Sequence, residues 1–183
     1  STALYSVIDL YSRDTTGAEP RSYLGPRAYR TTGGISQIAA GDIDGDGAVE
    51  VLAVDPTQPT LTVFSYDRAK GLTRAKGPGT LAIPESCDYI AIGEAFSGNG
   101  SRPEIAVADK ATRQVFVYRY DGTSLPSGLD TVGVASNLGE GISGIAAGDV
   151  TRTAAAEFVV TADTSNTVEI LYDSSGSLAV AGP

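Results

Sequence analysis

The chain has 183 residues, 42% of them hydrophobic and 19% charged, which is typical of one globular domain. Its 13 basic and 22 acidic residues give a formal net charge of −9, which argues against a nucleic-acid partner because phosphate backbones are bound through clustered Lys and Arg. The lack of histidine excludes imidazole metal sites and every Ser-His or Cys-His catalytic arrangement. No apolar run is long enough to predict a membrane-spanning helix.

The N-terminal segment, residues 1–34, matches the later half of a unit that repeats along the chain. In that unit a strand rich in β-branched and aromatic residues ends in a tyrosine, found at Tyr66, Tyr120 and Tyr172. One unit earlier stands Tyr11, at the end of the strand predicted over residues 6–11. Residues 1–34 are therefore predicted to form half a unit of two strands.

Three complete units follow, over residues 35–86, 87–141 and 142–183. Each starts with an apolar strand that ends in glycine, at Gly41, Gly93 and Gly148. A loop and an acidic residue then lead into a second, nearly continuous apolar strand, which indicates burial on both faces. The third strand and a weaker fourth strand follow. The fourth strands are predicted at residues 80–83, 131–136 and 177–181.

Four short strands in each unit of about 50 residues, without helical periodicity, predict an all-β fold and specifically a β-propeller with four-stranded antiparallel blades. The chain holds about three and a half blades, with the half blade at residues 1–34. Half a blade does not close a ring. We therefore expect that other chain segments, a partner chain or a second copy complete the propeller.

The loop at residues 42–50 has the pattern of a calcium site. Its carboxylates alternate along the chain, glycines permit a sharp turn, and Ca²⁺ prefers 6 to 8 oxygen ligands. Without a cation these like charges repel one another. The predicted ligands are the side chains of three aspartates, a backbone carbonyl and a closing bidentate glutamate, which are Asp42, Asp44, Asp46, Ala48 and Glu50.

Two alternatives compete with a calcium loop of this kind. In one, the loop is a solvated acidic turn whose aspartates accept hydrogen bonds from nearby backbone groups. The other is an EF-hand, but that loop needs an acid at position twelve, where this chain has Ala53. The corresponding loops at residues 94–104 and 149–157 keep an acid only at each end, and the former gains Arg102. We expect no tight calcium binding in the former and weak or no binding in the latter.

Residues 38–54, with the Gly41–Asp42 step and the acidic loop, resemble the FG-GAP repeat of integrin-α-type proteins, also called the VCBS repeat. The resemblance covers nearly the whole chain, although clear Phe-Gly and Gly-Ala-Pro elements are missing. It implies a propeller, commonly of seven blades, whose calcium loops join the first two strands of a blade. It also implies ligand binding through loops on the opposite ring face, here residues 55–60, 109–114 and 163–167.

The expected function is that of a calcium-stabilised extracellular module for adhesion, scaffolding, or carbohydrate or protein recognition. Extracellular calcium is concentrated enough to fill sites of modest affinity, whereas resting cytosol is not. The alternative is the propeller part of a secreted polysaccharide lyase or hydrolase with its active site largely outside this chain. No nucleophile elbow, phosphate loop or zinc motif is present, which favours a protein that is not an enzyme. The recurring tyrosines and Cys87 are predicted to pack between sheets.

Overall fold

The computed structural model describes residues 5–13, 23–32, 34–67, 71–74, 80–83, 87–96, 102–120, 129–152 and 155–181. Within these ranges all regular secondary structure is β-strand, and none of it is a helix with the length and apolarity that crossing a bilayer requires. The predicted all-β class is therefore confirmed. The first two strands, β1 (Tyr5–Arg13) and β2 (Tyr23–Thr32), form an antiparallel pair, as expected for two strands of a half unit.

Three larger sheets follow, each built from one repeat unit, and within each the four main strands pair antiparallel in chain order. The first sheet contains β3 (Gln37–Gly41), β4 (Glu50–Val54), β5 (Thr60–Asp67), β6 (Gly71–Arg74) and β7 (Thr80–Ala82). The second contains β8 (Tyr89–Gly93), β9 (Glu104–Asp109), β10 (Gln114–Tyr120) and β11 (Leu129–Ala135). The third contains β12 (Ile142–Gly148), β13 (Glu157–Ala162), β14 (Thr167–Asp173) and β15 (Leu178–Ala181).

The fourth position of the first sheet differs from the prediction. A strand does form within residues 80–83, as β7, but it pairs only with the first part of β5, at residues 60–62. The unpredicted β6 pairs with the last part of β5, from Phe64 to Asp67. Since β5 has eight residues, its free edge accommodates two short strands one after the other. The four residues of β6 are too few to show a recognisable alternation of apolar and polar side chains.

Each sheet has two faces, which we name by the residues of its second strand. The front face carries Val51 and Ala53 in the first sheet, Ile105 and Val107 in the second, and Phe158 and Val160 in the third. The back face carries the alternate residues, because successive side chains of a strand point to opposite sides. These are Leu52 and Val54, Ala106 and Ala108, and Val159 and Thr161.

The sheets stack in chain order, with the back face of one against the front face of the next. Back-face residues of the first sheet and front-face residues of the second belong to one buried cluster, which also contains Tyr118, Tyr120 and Cys87. A second cluster joins the back face of the second sheet to the front face of the third. Ile8 of β1 packs on the front face of the first sheet in a third cluster. The predicted packing role of Tyr120 and Cys87 is thus confirmed. Tyr172 is only partly buried and lies on the back face of the third sheet, outside all three clusters, so the prediction is wrong for it. The side chains of Tyr11 and Tyr66 lie outside the described residues.

Second strands are buried on both faces in two sheets only. All residues of β4 and β9 are buried, as predicted. In β13, Val159 is partly exposed and Thr161 is exposed, so the same prediction for residues 158–161 is wrong. The reason is positional, because no described sheet lies on the back face of the third sheet.

The glycines that end the first strands of the first two sheets lie where two sheets approach each other. A Cβ on Gly41 would lie 2.7 Å from Cγ2 of Ile92, and one on Gly93 would lie 2.6 Å from Cβ of Ala147. Real Cβ atoms do not approach that closely, so any side chain at these two positions pushes neighbouring sheets apart. A Cβ on the equivalent Gly148 would have no heavy atom within 4 Å.

We therefore expect Gly93→Ala to lower the free energy of unfolding by about 1–3 kcal/mol, the usual cost of overpacking a core. Gly148→Ala is the matched control, since it adds the same methyl group at the same repeat position without a clash. Urea unfolding of both variants in dilute solution measures the difference. Equal stability of the two variants would contradict the close approach at Gly93.

Candidate functional site

The loop at residues 42–50 joins β3 to β4 and turns sharply at two glycines. Gly45 has a φ of 76° and Gly47 a φ of 88°, values in the left-handed region that side chains disfavour. Because β3 and β4 pair directly from Gly41↔Glu50 onward, the loop is held at both ends by the sheet. The sheet therefore fixes the positions of the first and last acidic residues of the loop, Asp42 and Glu50.

Backbone N–H groups within the loop orient the three aspartates. Asp42 accepts from Gly45 N at 2.8 Å and from Gly47 N at 2.9 Å. Asp44 accepts from Asp46 N at 3.1 Å, and Asp46 accepts from Ala48 N at 2.8 Å. Bonds of this type occur in an ordinary acidic turn as well, so they do not by themselves distinguish a metal loop from such a turn.

The loop brings three of the predicted ligands together. Asp42, Asp44 and Glu50 each place a carboxylate oxygen within 4.8 Å of the oxygens of the other two. Asp46 lies outside this group and is exposed, and Ala48 is exposed as well. The chemistry of the cluster is that of hard oxygen donors with three formal negative charges, which suits a divalent cation such as Ca²⁺.

Glu50 is the unusual member of the cluster because it is buried, with 4% of its surface exposed. Its carboxylate accepts a hydrogen bond from Ile43 N at 3.2 Å, and the Ile43 side chain is itself completely buried. Burial, reinforced by the nearby charge of Asp44, raises the pKa of Glu50 from 4.5 to about 7. Without a cation this carboxylate therefore takes up a proton far more readily than an exposed glutamate.

The equivalent glutamates of the other two sheets show how such a buried group is otherwise accommodated. Glu104 is 0% exposed, accepts from the N–H groups of Ala95 and Phe96, and forms an ion pair with Arg119. Glu157 is 3% exposed and accepts from the N–H groups of Val150 and Thr151 and from the Thr151 hydroxyl. All three glutamates thus tie their loop to the start of the second strand.

The partner on the third strand differs between the sheets. Arg119 directly follows Tyr118, the last residue of β10 that pairs with β9, and its side chain contacts Glu104, whereas Glu50 pairs with Ser65 of β5. Among the described residues, the ion pairs are Arg119 with Glu104 and Arg113 with Glu140, so Glu50 has no basic partner there. Negative charge at the first loop is therefore not neutralised by an ion pair within the described part of the chain.

One basic side chain does lie beside the first loop. A Cβ on Gly45 would meet Cγ and Nε of Arg102 at 3.3 Å, so the Arg102 side chain lies against the turn. Arg102 belongs to the loop at residues 94–104, which joins the first two strands of the second sheet. It forms no ion pair with Asp42 or Asp44 in the described structure, but it brings positive charge to the edge of the cluster.

The sequence analysis did not predict that the glutamates hold their loops in place, or that Glu104 pairs with Arg119. An acid opens the second strand in all three repeats, including the two whose loops have no acid between their first residue and that glutamate. That recurrence was the available signal that the glutamate secures the loop independently of a metal. The partner Arg119 had no such signal, because it lies 15 residues away in sequence and only the strand register brings it to Glu104.

At the other end of the sheets, all three loops predicted to bind a ligand begin with an aspartate that accepts a hydrogen bond within the turn, and in the third loop Asp163 accepts from the Thr164 hydroxyl at 3.3 Å. Asp55 accepts from the N–H and hydroxyl of Thr57. Asp109 is 4% exposed and accepts from the N–H groups of Ala111 and Thr112 and from the Thr112 hydroxyl. These carboxylates stabilise the turns.

In the presence of a chelator, we expect the free energy of unfolding to fall as the pH rises from about 4.5 to about 7. The raised pKa means that folded Glu50 keeps its proton in this range, whereas the unfolded chain releases it, so rising pH favours unfolding. The contribution is complete below pH 4.5 and lost above about pH 7. Glu50→Gln, which cannot titrate, isolates the effect when its urea unfolding is compared with that of the wild type across this range. Parallel pH profiles for the two proteins would contradict the raised pKa.

No protein-family model and no curated protein matches the chain. The class that fold and site define is an all-β protein of stacked, repeated antiparallel sheets with one cluster of three carboxylates in its described part.

Proposed function

We propose that this chain is part of a calcium-stabilised β-propeller of an extracellular protein, and that it serves in adhesion, scaffolding, or recognition of a carbohydrate or protein. The observation that carries the proposal is the buried Glu50 grouped with Asp42 and Asp44. A propeller module stabilised in this way is the architecture that the resemblance to FG-GAP repeats implies.

The difference between the first and second sheets favours calcium. In the second sheet the buried glutamate is neutralised by Arg119, whereas in the first sheet the same position faces Ser65 and two aspartates. Two unit charges about 4 Å apart repel by roughly 4 kcal/mol at an effective dielectric constant near 20. A divalent cation bound to the three carboxylates reverses the sign of that interaction. It takes the place in the first sheet that the guanidinium of Arg119 has in the second.

Sheet stacking supports the propeller. All sheets pack back face to front face, and contacts between neighbouring sheets run through the first strands β3, β8 and β12. A head-to-tail interface used repeatedly either closes into a ring or continues as an open stack. Contacts of β2 with β6 and of β11 with β15 join the outer strands of neighbouring sheets in the same order. These contacts support the proposal that the strand pair β1–β2 is the outer half of a preceding blade.

An extracellular location follows from the expected affinity of the site. Three carboxylates on a loop give a modest calcium site, and extracellular modules of modest affinity bind in the range of about 10⁻⁴–10⁻³ M. Such a site is filled outside the cell and empty in resting cytosol. Calcium then has a structural role, holding the loop that joins the first two strands of its blade.

Thermal unfolding with Ca²⁺ and with a chelator tests the proposal. A ligand present at 100 times its dissociation constant stabilises the folded state by about 2.7 kcal/mol, so millimolar Ca²⁺ should raise the unfolding temperature clearly. Mg²⁺ at the same concentration is the control for ionic strength and should have a smaller effect, because it dehydrates reluctantly and demands octahedral geometry. The same unfolding temperature in Ca²⁺ and in chelator would refute a calcium-stabilised module.

A further inference from the structure

In each of the three larger sheets, one residue of the loop between the first two strands is held by the buried glutamate that opens the second strand. The residue is the second after the glycine that ends the first strand, and its backbone N–H donates to the glutamate carboxylate. The donors are Ile43, Ala95 and Val150, whose nitrogens lie 3.2, 2.8 and 2.9 Å from the acceptor oxygens. The glutamate thus fixes the position of this loop residue relative to its own sheet.

The side chain of this loop residue is buried where another sheet follows. Ile43 is 0% exposed and belongs to the cluster between the first and second sheets, and Ala95 is 1% exposed in the cluster between the second and third. Val150 is 52% exposed, and no described sheet lies on the back face of its sheet. The loop residue is therefore part of the contact between successive sheets.

In the first sheet the same residue also lies among the predicted calcium ligands. The neighbours of Ile43 in the sequence are Asp42 and Asp44, and its N–H donates to Glu50. Carboxylate oxygens of these three acids lie within 4.8 Å of one another. The side chain of Arg102, from the corresponding loop of the second sheet, lies against the same turn. The loop at residues 42–50 thus contacts the second sheet both in the buried cluster and at the surface.

We propose that Ile43 is a positioning residue through which the second sheet sets the calcium affinity of the loop, an inference that rests on the proposed calcium site. While Ile43 is held between the sheets, its backbone keeps the two flanking aspartates and the Glu50 carboxylate together. Separation of the second sheet from the first frees Ile43, and the ligands lose the arrangement that suits a cation. Because coupling between two equilibria is reciprocal, calcium binding must in turn oppose that separation.

The single cysteine of the chain is a probe of this separation. Cys87 is 0% exposed and belongs to the same cluster as Ile43, so a thiol reagent reaches it only when the first and second sheets part or the whole chain unfolds. Val160→Cys adds a matched probe, since Val160 is 0% exposed in the cluster between the second and third sheets and cysteine behaves there as a small apolar residue. When labelling is slow compared with reclosing, its rate follows the population of the open form.

Thiol labelling of the full-length Val160→Cys chain tests the proposal, with the two cysteines distinguished by peptide mass mapping. Ca²⁺ at about ten times its dissociation constant should slow labelling of Cys87 about tenfold relative to chelator, and should slow labelling at position 160 less. Adding Ile43→Ala should reduce the slowing at Cys87 to about threefold or less, which corresponds to a fivefold weaker affinity. Ile43→Val, the conservative change, should restore most of the slowing.

Equal slowing at the two cysteines would overturn this inference and leave the calcium-stabilised module intact, because global unfolding exposes both positions alike. Full slowing at Cys87 in folded Ile43→Ala would overturn it as well. The comparison of the two cysteines needs no change at Ile43, so it decides the matter even if Ile43→Ala does not fold. No slowing at either position would overturn both this inference and the proposed calcium site.

Discussion

Asp44→Asn is expected to abolish the rise in unfolding temperature that Ca²⁺ produces in the wild type. Asn keeps the oxygen that accepts from Asp46 N at 3.1 Å, so the turn survives while one of the three clustered charges is removed. The stabilisation lost at 100 times the dissociation constant is about 2.7 kcal/mol. Thermal unfolding of the variant in Ca²⁺ and in chelator measures it directly.

In chelator the same variant should be at least as stable as the wild type. After burial, the charge of Asp44 contributes most to the raised pKa of Glu50, so neutralising it relieves repulsion in the cluster. Asp149→Asn is the matched control, since Asp149 begins the corresponding loop of the third sheet, where we expect little or no calcium. It should retain the full response to Ca²⁺. An unchanged response in Asp44→Asn, or an equal loss in Asp149→Asn, would show that the ligands are assigned wrongly.

The second large effect is expected for Arg119→Met. This change leaves the fully buried Glu104 without its positive partner, and removing one member of a buried ion pair typically costs about 3–5 kcal/mol. Met keeps most of the aliphatic volume of Arg, so lost packing contributes little. Urea unfolding at neutral pH gives the free-energy difference.

Two further variants separate charge from packing at this site. Arg113→Met removes the partner of Glu140, whose side chain is 68% exposed, and exposed pairs contribute about 0–1 kcal/mol. Adding Glu104→Gln to Arg119→Met should recover part of the stability, because a neutral amide leaves no uncompensated charge in the core. A cost below about 1 kcal/mol for Arg119→Met would mean that the Glu104 carboxylate is satisfied by its backbone donors alone.

Sequence periodicity was sufficient to predict most of the strands. Continuous apolar runs such as β4 and β9 were predictable because they are short, rich in small and β-branched residues, and bounded by an acid on either side. The acidic loop was predictable for a related reason, since its alternating carboxylates and glycines lie within nine consecutive residues. Local pattern therefore predicted both the sheet-forming units and the residues of the cluster.

Features that depend on contacts between distant residues were not predictable in the same way. The pairing of Arg119 with Glu104 depends on the register between β9 and β10. The two short strands β6 and β7 form because the chain returns twice to the same edge of β5. The partial exposure of Val159 depends on whether another sheet covers the back face, although the run from Phe158 to Val160 is as apolar as the equivalent parts of β4 and β9. Burial is a property of the stack of sheets and cannot be deduced from one strand.

Calcium binding to the full chain, measured by isothermal titration or equilibrium dialysis, tests the central claim most directly. The account predicts one bound Ca²⁺ per chain with an affinity on the order of 10⁻⁴–10⁻³ M, lost in Asp44→Asn and retained in Asp149→Asn. No binding at millimolar Ca²⁺ would contradict it. In that case the loop at residues 42–50 is an acidic turn, closed by a Glu50 that keeps its proton up to about pH 7.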